Sequence, residues 1–324
     1  TGELGLFKIV SEASVAAGVR RIVALTGTGV LNYLNECEDT VKFASATFKS
    51  ADNEVKDRIT AIVAENKANM VWWRQFLLAI MAGLFIGLAG NGASITAYSV
   101  PAAGMSKMLS GVLFGTGLIL VLMAGAELFT GNSLMLIGVA EKKIRISAML
   151  RNWVIVYIGN FIGGVGLAWC ISQTTQFGMD KGALGAYAIN TALSKCTLDF
   201  KAAFIMAVFC NILVCLAVWV SWAGKDMVSK IIGLYFPIWL FVTSGYEHCV
   251  ANMYFIPAGI FAKGNDAYVA AAVEKYGLTL SQIDKLSWSS FFASNLVPVT
   301  LGNIVGGAFV AMMYWLVFLK EKND

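Results

Sequence analysis

Six apolar stretches constrain this chain more than any other feature: roughly Phe76–Val100, Met108–Ala140, Ser147–Ser172, Ala202–Trp222, Ile231–Ala262 and Ser289–Phe318. Each exceeds the ~20 residues a helix needs to cross the ~30 Å hydrocarbon layer of a bilayer. Helices of soluble proteins usually keep one polar face, whereas these stretches are apolar all round. Charge is correspondingly scarce. Only 14% of the 324 residues are Asp, Glu, Lys or Arg, against about 25% in soluble domains. Such a chain lacks the charge to solvate its own surface, which excludes a soluble enzyme, a disordered hub and a nucleic-acid-wrapping protein. A net charge of +4 is too small to imply a nucleic-acid partner. The fold class is therefore an all-α polytopic membrane protein with six transmembrane helices.

The charges present are unevenly spread. Residues 1–75 carry 18 of the 44, nine of each sign, so a domain boundary is expected near Asn69–Arg74. Beginning at Thr1, the chain reads as a fragment or processed product, and no basic segment followed by an apolar core marks a secretory signal. The six cysteines (Cys37, Cys170, Cys196, Cys210, Cys215, Cys249) form no CxxC pair and mostly lie in apolar runs, so neither a disulfide framework nor a metal or cofactor site is expected. Lys142, Lys143, Arg145 and Arg151 cluster between the second and third stretches, Lys225 and Lys230 between the fourth and fifth, and Arg74, Lys320 and Lys322 flank the ends. Positive-inside bias then sets both termini in the cytoplasm. Trp72, Trp73, Trp219, Trp222, Trp288 and Trp315, near stretch ends, fit an interfacial belt.

The second and fifth stretches are too long for simple crossing helices, and each contains a polar interruption. Gly125-Ala-Glu127-Leu128-Phe-Thr130-Gly-Asn132 matches Gly245-Tyr-Glu247-His248-Cys-Val-Ala-Asn252 in the pattern G-x-E-x-x-x-x-N. Asn152…Gly159-Asn160…Gly163-Gly164 likewise matches Asn295…Gly302-Asn303…Gly306-Gly307. Three stretches per half mean that the two halves enter the membrane in opposite orientation. Inverted repeats with a broken helix in each half put a transport site near the midplane, where the breaks meet.

Ionisable groups within such stretches are costly to bury and are functional candidates by default. His248 is the only histidine of the chain, and imidazole exchanges protons near neutral pH; its alternative is a structural histidine bonded between helices. Glu127 and Glu247 can support the breaks by accepting orphan backbone N–H groups. Thr130 either faces the site or bonds its own backbone, and Asn211 is a pore or interhelical contact. Lys195, just before the fourth stretch, either concentrates anions at a pore mouth or is an ordinary interfacial lysine.

These motifs carry a resemblance. GAELFTGN (Gly125–Asn132), CNILVCLAVW (Cys210–Trp219), GYEHCVANMYFIPAG (Gly245–Gly259) and NLVPVTLGNIVGG (Asn295–Gly307) are similar to those of the formate/nitrite transporter family. The resemblance covers residues 76–324. It implies a homopentamer of six-helix protomers with an aquaporin-like fold, one pore each. It implies His248 as the central pore histidine, Thr130 facing it, Lys195 in the vestibule and Asn211 lining the pore, with Phe114, Leu118, Leu128 and Phe241 at the hydrophobic constrictions. Aquaporins themselves are disfavoured, since none of Pro101, Pro237, Pro257 and Pro298 follows an asparagine. The front end resembles the segment of alanyl-tRNA synthetase that closes its editing domain. This implies a small α/β fragment over residues 1–36 and a charged helical linker over 37–75.

The expected function is a cell-membrane channel or transporter, not an enzyme, for small monovalent anions and their conjugate acids. Formate is first, with nitrite, hydrosulfide and lactate open. Lys195 would draw the anion in, and Thr130 and Asn211 would orient the imidazole and hold the ion while His248 donates a proton or strong hydrogen bond. The rival is a membrane-anchored tRNA-binding or editing fragment, for which six stretches with internal symmetry are excessive.

Overall fold

The computed structural model describes residues 61–224, 226–318 and 320. The alanyl-tRNA-synthetase-like fragment and most of the linker lie outside the described residues. All regular structure among the described residues is helical. A helix at residues 61–69 precedes α1 (Trp72–Ala97) and α2 (Ala103–Met123). After a break come α3 (Gly131–Ala140, opening with a 3₁₀ turn) and α4 (Ile146–Ser172). Then follow α5 (Met179–Cys196), α6 (Phe200–Ala223), α7 (Met227–Thr243), a second break, α8 (Cys249–Lys263), α9 (Asp266–Tyr276) and α10 (Trp288–Phe318).

Five of these, α1, α2, α4, α6 and α10, are long and apolar enough to cross a membrane. The fifth expected span is divided between α7 and α8, and the second between α2 and α3, so both polar interruptions are true breaks. Residues 173–201 lie between the third and fourth apolar stretches. They contain α5, whose Leu184, Ala188, Ile189, Ala192 and Leu193 are buried against α8 while its other face is polar, so its mean hydropathy stays below that of a span.

Large apolar side chains stand on the outside of the helices as well as in the core. Ala, Gly and Asn fill the helix contacts, while Leu77, Val154, Ile158, Val297, Leu301 and Phe309 stand outward. Without a hydrophobic drive between helices in lipid, close backbone packing at small residues supplies the association. Gly163 on α4 lies against the carbonyl of Ile80 on α1, and Gly306 on α10 against that of Val208 on α6. A Cβ at either glycine would collide with that backbone. The α1–α4 and α6–α10 packings are thus counterparts, as the repeat of G-N-x-x-G-G predicts. The tryptophan belt needs one correction. Trp72 and Trp73 are exposed, but Trp219 is buried and stacked on Tyr314 at 4.3 Å, so it serves packing.

Candidate functional site

Each break begins the same way. Gly125 (φ 79°) and Gly245 (φ 73°) adopt the left-handed conformation that side chains resist. The following amides reach back five residues, Ala126 N to Val121 O at 2.8 Å and Tyr246 N to Phe241 O at 3.1 Å. This closes the carbonyl ends of α2 and α7 in a Schellman motif.

The repeat asparagines serve the freed backbone. Asn160 Oδ1 accepts from Phe129 N (2.9 Å), and its amide donates to Ala79 O (2.7 Å) and Glu127 O (2.9 Å). Asn303 Oδ1 accepts from Cys249 N (2.9 Å), and its amide donates to Ala207 O (2.8 Å) and Glu247 O (3.0 Å). Unpaired backbone at this depth would cost several kcal/mol for each group. Sequence reading gave that service to Glu127 and Glu247. Instead these carboxylates bond side chains: a lysine amine fills one oxygen of each and asparagine amides the other, which makes the acids keystones of polar clusters.

In one cluster Lys67 Nζ donates to Glu127 Oε1 (2.6 Å) and Asn132 Oδ1 (2.9 Å), and the Asn132 amide donates to Glu127 Oε2 and Asn152 Oδ1, both at 2.8 Å. In the other, Lys195 Nζ donates to Glu247 Oε1 (2.7 Å), and the Asn252 amide donates to Glu247 Oε2 and Asn295 Oδ1, both at 2.7 Å. Lys195 is thus an ion-paired lysine, and its charge is largely offset at the site. Asn252 Oδ1 has no partner among the described residues, whereas Asn132 Oδ1 has Lys67. Lys67, Asn152, Asn160, Asn295 and Asn303 were not singled out as site residues from the sequence. Lys67 carries the same separation from Lys195, 128 positions, as Ala79 does from Ala207, so the repeat register could have found it.

Between the clusters lies the chemistry. His248 is the N-cap of α8, its Nδ1 accepting from Ala251 N at 3.0 Å. Its Nε2 lies 2.8 Å from Thr130 Oγ1, so the two breaks meet at this pair. Because Nδ1 accepts, the proton of the neutral ring is assigned to Nε2, and Thr130 Oγ1 accepts it. Asn211 does not touch the imidazole. Its amide donates to Thr130 O (3.3 Å), Ser133 Oγ (3.3 Å) and Asn303 O (2.6 Å), tying the first break and α10 to α6, while its Oδ1 is buried without a partner among the described residues.

Two cavities approach the pair. One, of about 160 Å³, is lined by Lys195, Asn252, Phe255 and His248 and floored by Phe114 and Phe241. Those two rings meet edge to face with centroids 5.7 Å apart, and Phe241 lies 6.0 Å from the imidazole. The other, of about 100 Å³, is lined by Lys67 and Asn132 and reaches Leu118 and Leu128. All four apolar residues are at most 4% exposed. The imidazole and hydroxyl are therefore enclosed by apolar side chains on either side.

The matches to known proteins agree with this geometry. Residues 54–316 match the family model "Formate/nitrite transporter"; the match begins upstream of the boundary read near Asn69–Arg74 and takes in Lys67. The chain is 38% identical over 295 residues to a probable formate transporter of Methanothermobacter thermautotrophicus, covering 85% of this chain and 99% of that one. It is 39% identical over 249 residues to the formate channel FocA of Haemophilus influenzae (76% and 86%). Among solved structures it is similar to a pentameric formate channel with formate bound, at 38% identity and a TM-score of 0.68 over 77% of this chain and 98% of that one. The chain belongs to the formate/nitrite transporter family.

Proposed function

We propose that the chain is the protomer of a pentameric membrane channel or transporter passing small monovalent anions and their conjugate acids, formate first. The His248–Thr130 pair, buried where two helix breaks meet, carries this reading. The formate relatives and the solved formate channel support the choice of anion. In this reading α7 and α8 together form the fifth of six crossings, as α2 and α3 form the second, and the halves are inverted. Positive-inside bias puts both termini in the cytoplasm, with the Lys195 cavity opening outward and the Lys67 cavity inward.

A bare anion at the apolar collars faces a large desolvation penalty. The N-terminus of α8 opens toward the breaks, and its dipole offsets part of that cost. With the ring neutral, Nε2–H bonds Thr130 Oγ1, which leaves the threonine proton free to be donated to the anion. Full transfer requires the imidazolium. A proton added at Nδ1 displaces the Ala251 amide; the Nε2 proton then moves to Thr130 Oγ1 as the threonine proton passes to the anion, leaving a neutral ring and a neutral acid. That acid crosses the collars of Phe114, Phe241, Leu118 and Leu128, which exclude water and larger ions by dewetting. Asn211 holds the Thr130 backbone in register. Nitrite, hydrosulfide and lactate are further substrates of the same reading, separable by a flux panel. The front end, residues 1–36, we read as an alanyl-tRNA-synthetase-like appendage, testable by tRNA retention on the full chain.

Formate flux into liposomes across pH 5 to 8 tests the role of the histidine. Native flux rises as pH falls, because each anion that passes as its conjugate acid takes up a proton. His248→Asn keeps an acceptor for the Ala251 amide but has no titrating group, so its pH profile flattens and flux drops about tenfold, the effect of losing ~1.4 kcal/mol of hydrogen bonding to a charged species. An unchanged profile sinks proton exchange at His248.

A further inference from the structure

The Lys195 cavity holds more than its collar and ion pair. Its lining includes a second lysine, Lys107 on α2, and the hydroxyl residues Tyr187 and Thr191 on α5. Lys107 is exposed at the mouth and has no ion-pair or hydrogen-bond partner among the described residues. Its amine leans over the break, 3.2 Å from where a Cβ on Gly245 would stand. The Tyr187 hydroxyl lies among those of Ser106, Ser110 and Thr191. Ser94, Ser106 and Ser110 give their protons to the carbonyls of Gly90, Ala97 and Ala93. The donors left facing the cavity are therefore the Lys107 amine, the remaining N–H groups of Lys195, and the Tyr187–Thr191 hydroxyl pair, whose mutual bond leaves one proton to give.

Charge decides which lysine does the attracting. Lys195 is paired with Glu247 at 2.7 Å and adds little net field, so Lys107 is the uncompensated cation of this cavity. Among the described residues, the lining of the counterpart cavity holds no such group. Lys67, the lysine in its lining, is paired with Glu127, and Val63 and Trp222 stand there among Leu118, Leu122 and Leu128.

We infer that Lys107, with the Tyr187 and Thr191 hydroxyls, forms an anion-holding site in this vestibule, where a small monovalent carboxylate such as formate waits before the Phe114–Phe241 collar. The inference rests on the anion-passage reading above. An amine supplies the long-range attraction, and a proton of the hydroxyl pair replaces part of the hydration shell before the dry collar is reached. Among the described residues such a site lines one mouth and not the other, so these residues favour capture from that side.

Formate flux of the full chain in liposomes, measured against formate concentration at low and at physiological ionic strength, tests it. Lys107→Gln should raise the half-saturating concentration about fivefold at low salt, the effect of removing one partly solvated charge near the ion path. It should also remove most of the dependence on ionic strength, since exposed charges are screened within ~8 Å at physiological salt. Lys107→Arg should restore both to within about twofold. A half-saturating concentration and salt dependence equal to those of the native chain overturns this site while leaving the channel reading intact. Absence of formate flux in the native chain overturns the channel reading itself.

Discussion

At both helix breaks a left-handed glycine ends the first helix, an asparagine from the third long helix of the same half serves the freed backbone, and a glutamate pairs with a lysine. The residue after that glutamate is where they part: Leu128 at one break, His248 at the other. Thr130, the partner of His248, likewise stands where the other break has Val250. A duplicated scaffold therefore carries chemistry that is not duplicated. The hydrogen bonds common to both breaks are those that hydrocarbon makes obligatory for any interrupted helix. The imidazole–hydroxyl pair is the departure, and it joins one residue from each break. In the proposed reading, symmetry reports stability and its violation reports function.

The comparison breaks first at the asparagines if it breaks at all. Asn160→Ala and Asn303→Ala each remove three hydrogen bonds and strand a buried backbone amide. Each should lower the stability of the detergent-solubilised protein by about 3 kcal/mol or more, read by thermal unfolding. The two losses should be alike, and a large loss in only one half would show that the repeat is not energetically symmetric. The lysines sharpen the picture at a smaller scale. Lys67 serves two acceptors and Lys195 one, so Lys67→Met should destabilise more than Lys195→Met by ~1 kcal/mol, the worth of the extra bond; equal losses would mean that the Asn132 contact adds nothing. Smallest is the effect at the left-handed glycines. Gly125→Ala and Gly245→Ala should each cost about 1 kcal/mol from backbone conformation, measured by the same unfolding assay. A neutral Gly245→Ala would show that the break relaxes out of the left-handed region.

Much of this was legible in the chain itself. The apolar stretches are visible because hydropathy is a property of composition alone, and the breaks are visible because a Gly, Glu and Asn inside them have no reason to recur by chance. Glu127 and Glu247 were recognised as support but given the wrong partners. A carboxylate in a sequence advertises an acceptor without saying who donates, and the donors lie 60 and 52 positions away. Lys67 went unseen because a lysine among nine basic and nine acidic residues looks like any solvated charge. Its role appears only once the helix at residues 61–69 lies against α3, where Ala64 Cβ would stand 2.7 Å from a Cβ on Gly138.

By itself, then, the sequence determined the membrane setting, the two interrupted helices, their internal repeat and the single imidazole available for chemistry. These follow from local composition and from residues matching at a fixed offset, neither of which requires knowing what touches what. Tertiary structure alone decided that the glutamates pair with lysines, that the asparagines hold the backbone, and that Nε2 of His248 faces Thr130 across 118 positions of chain. A polar group buried in hydrocarbon must find a partner, and which partner it finds is settled by the packing of helices far apart in sequence.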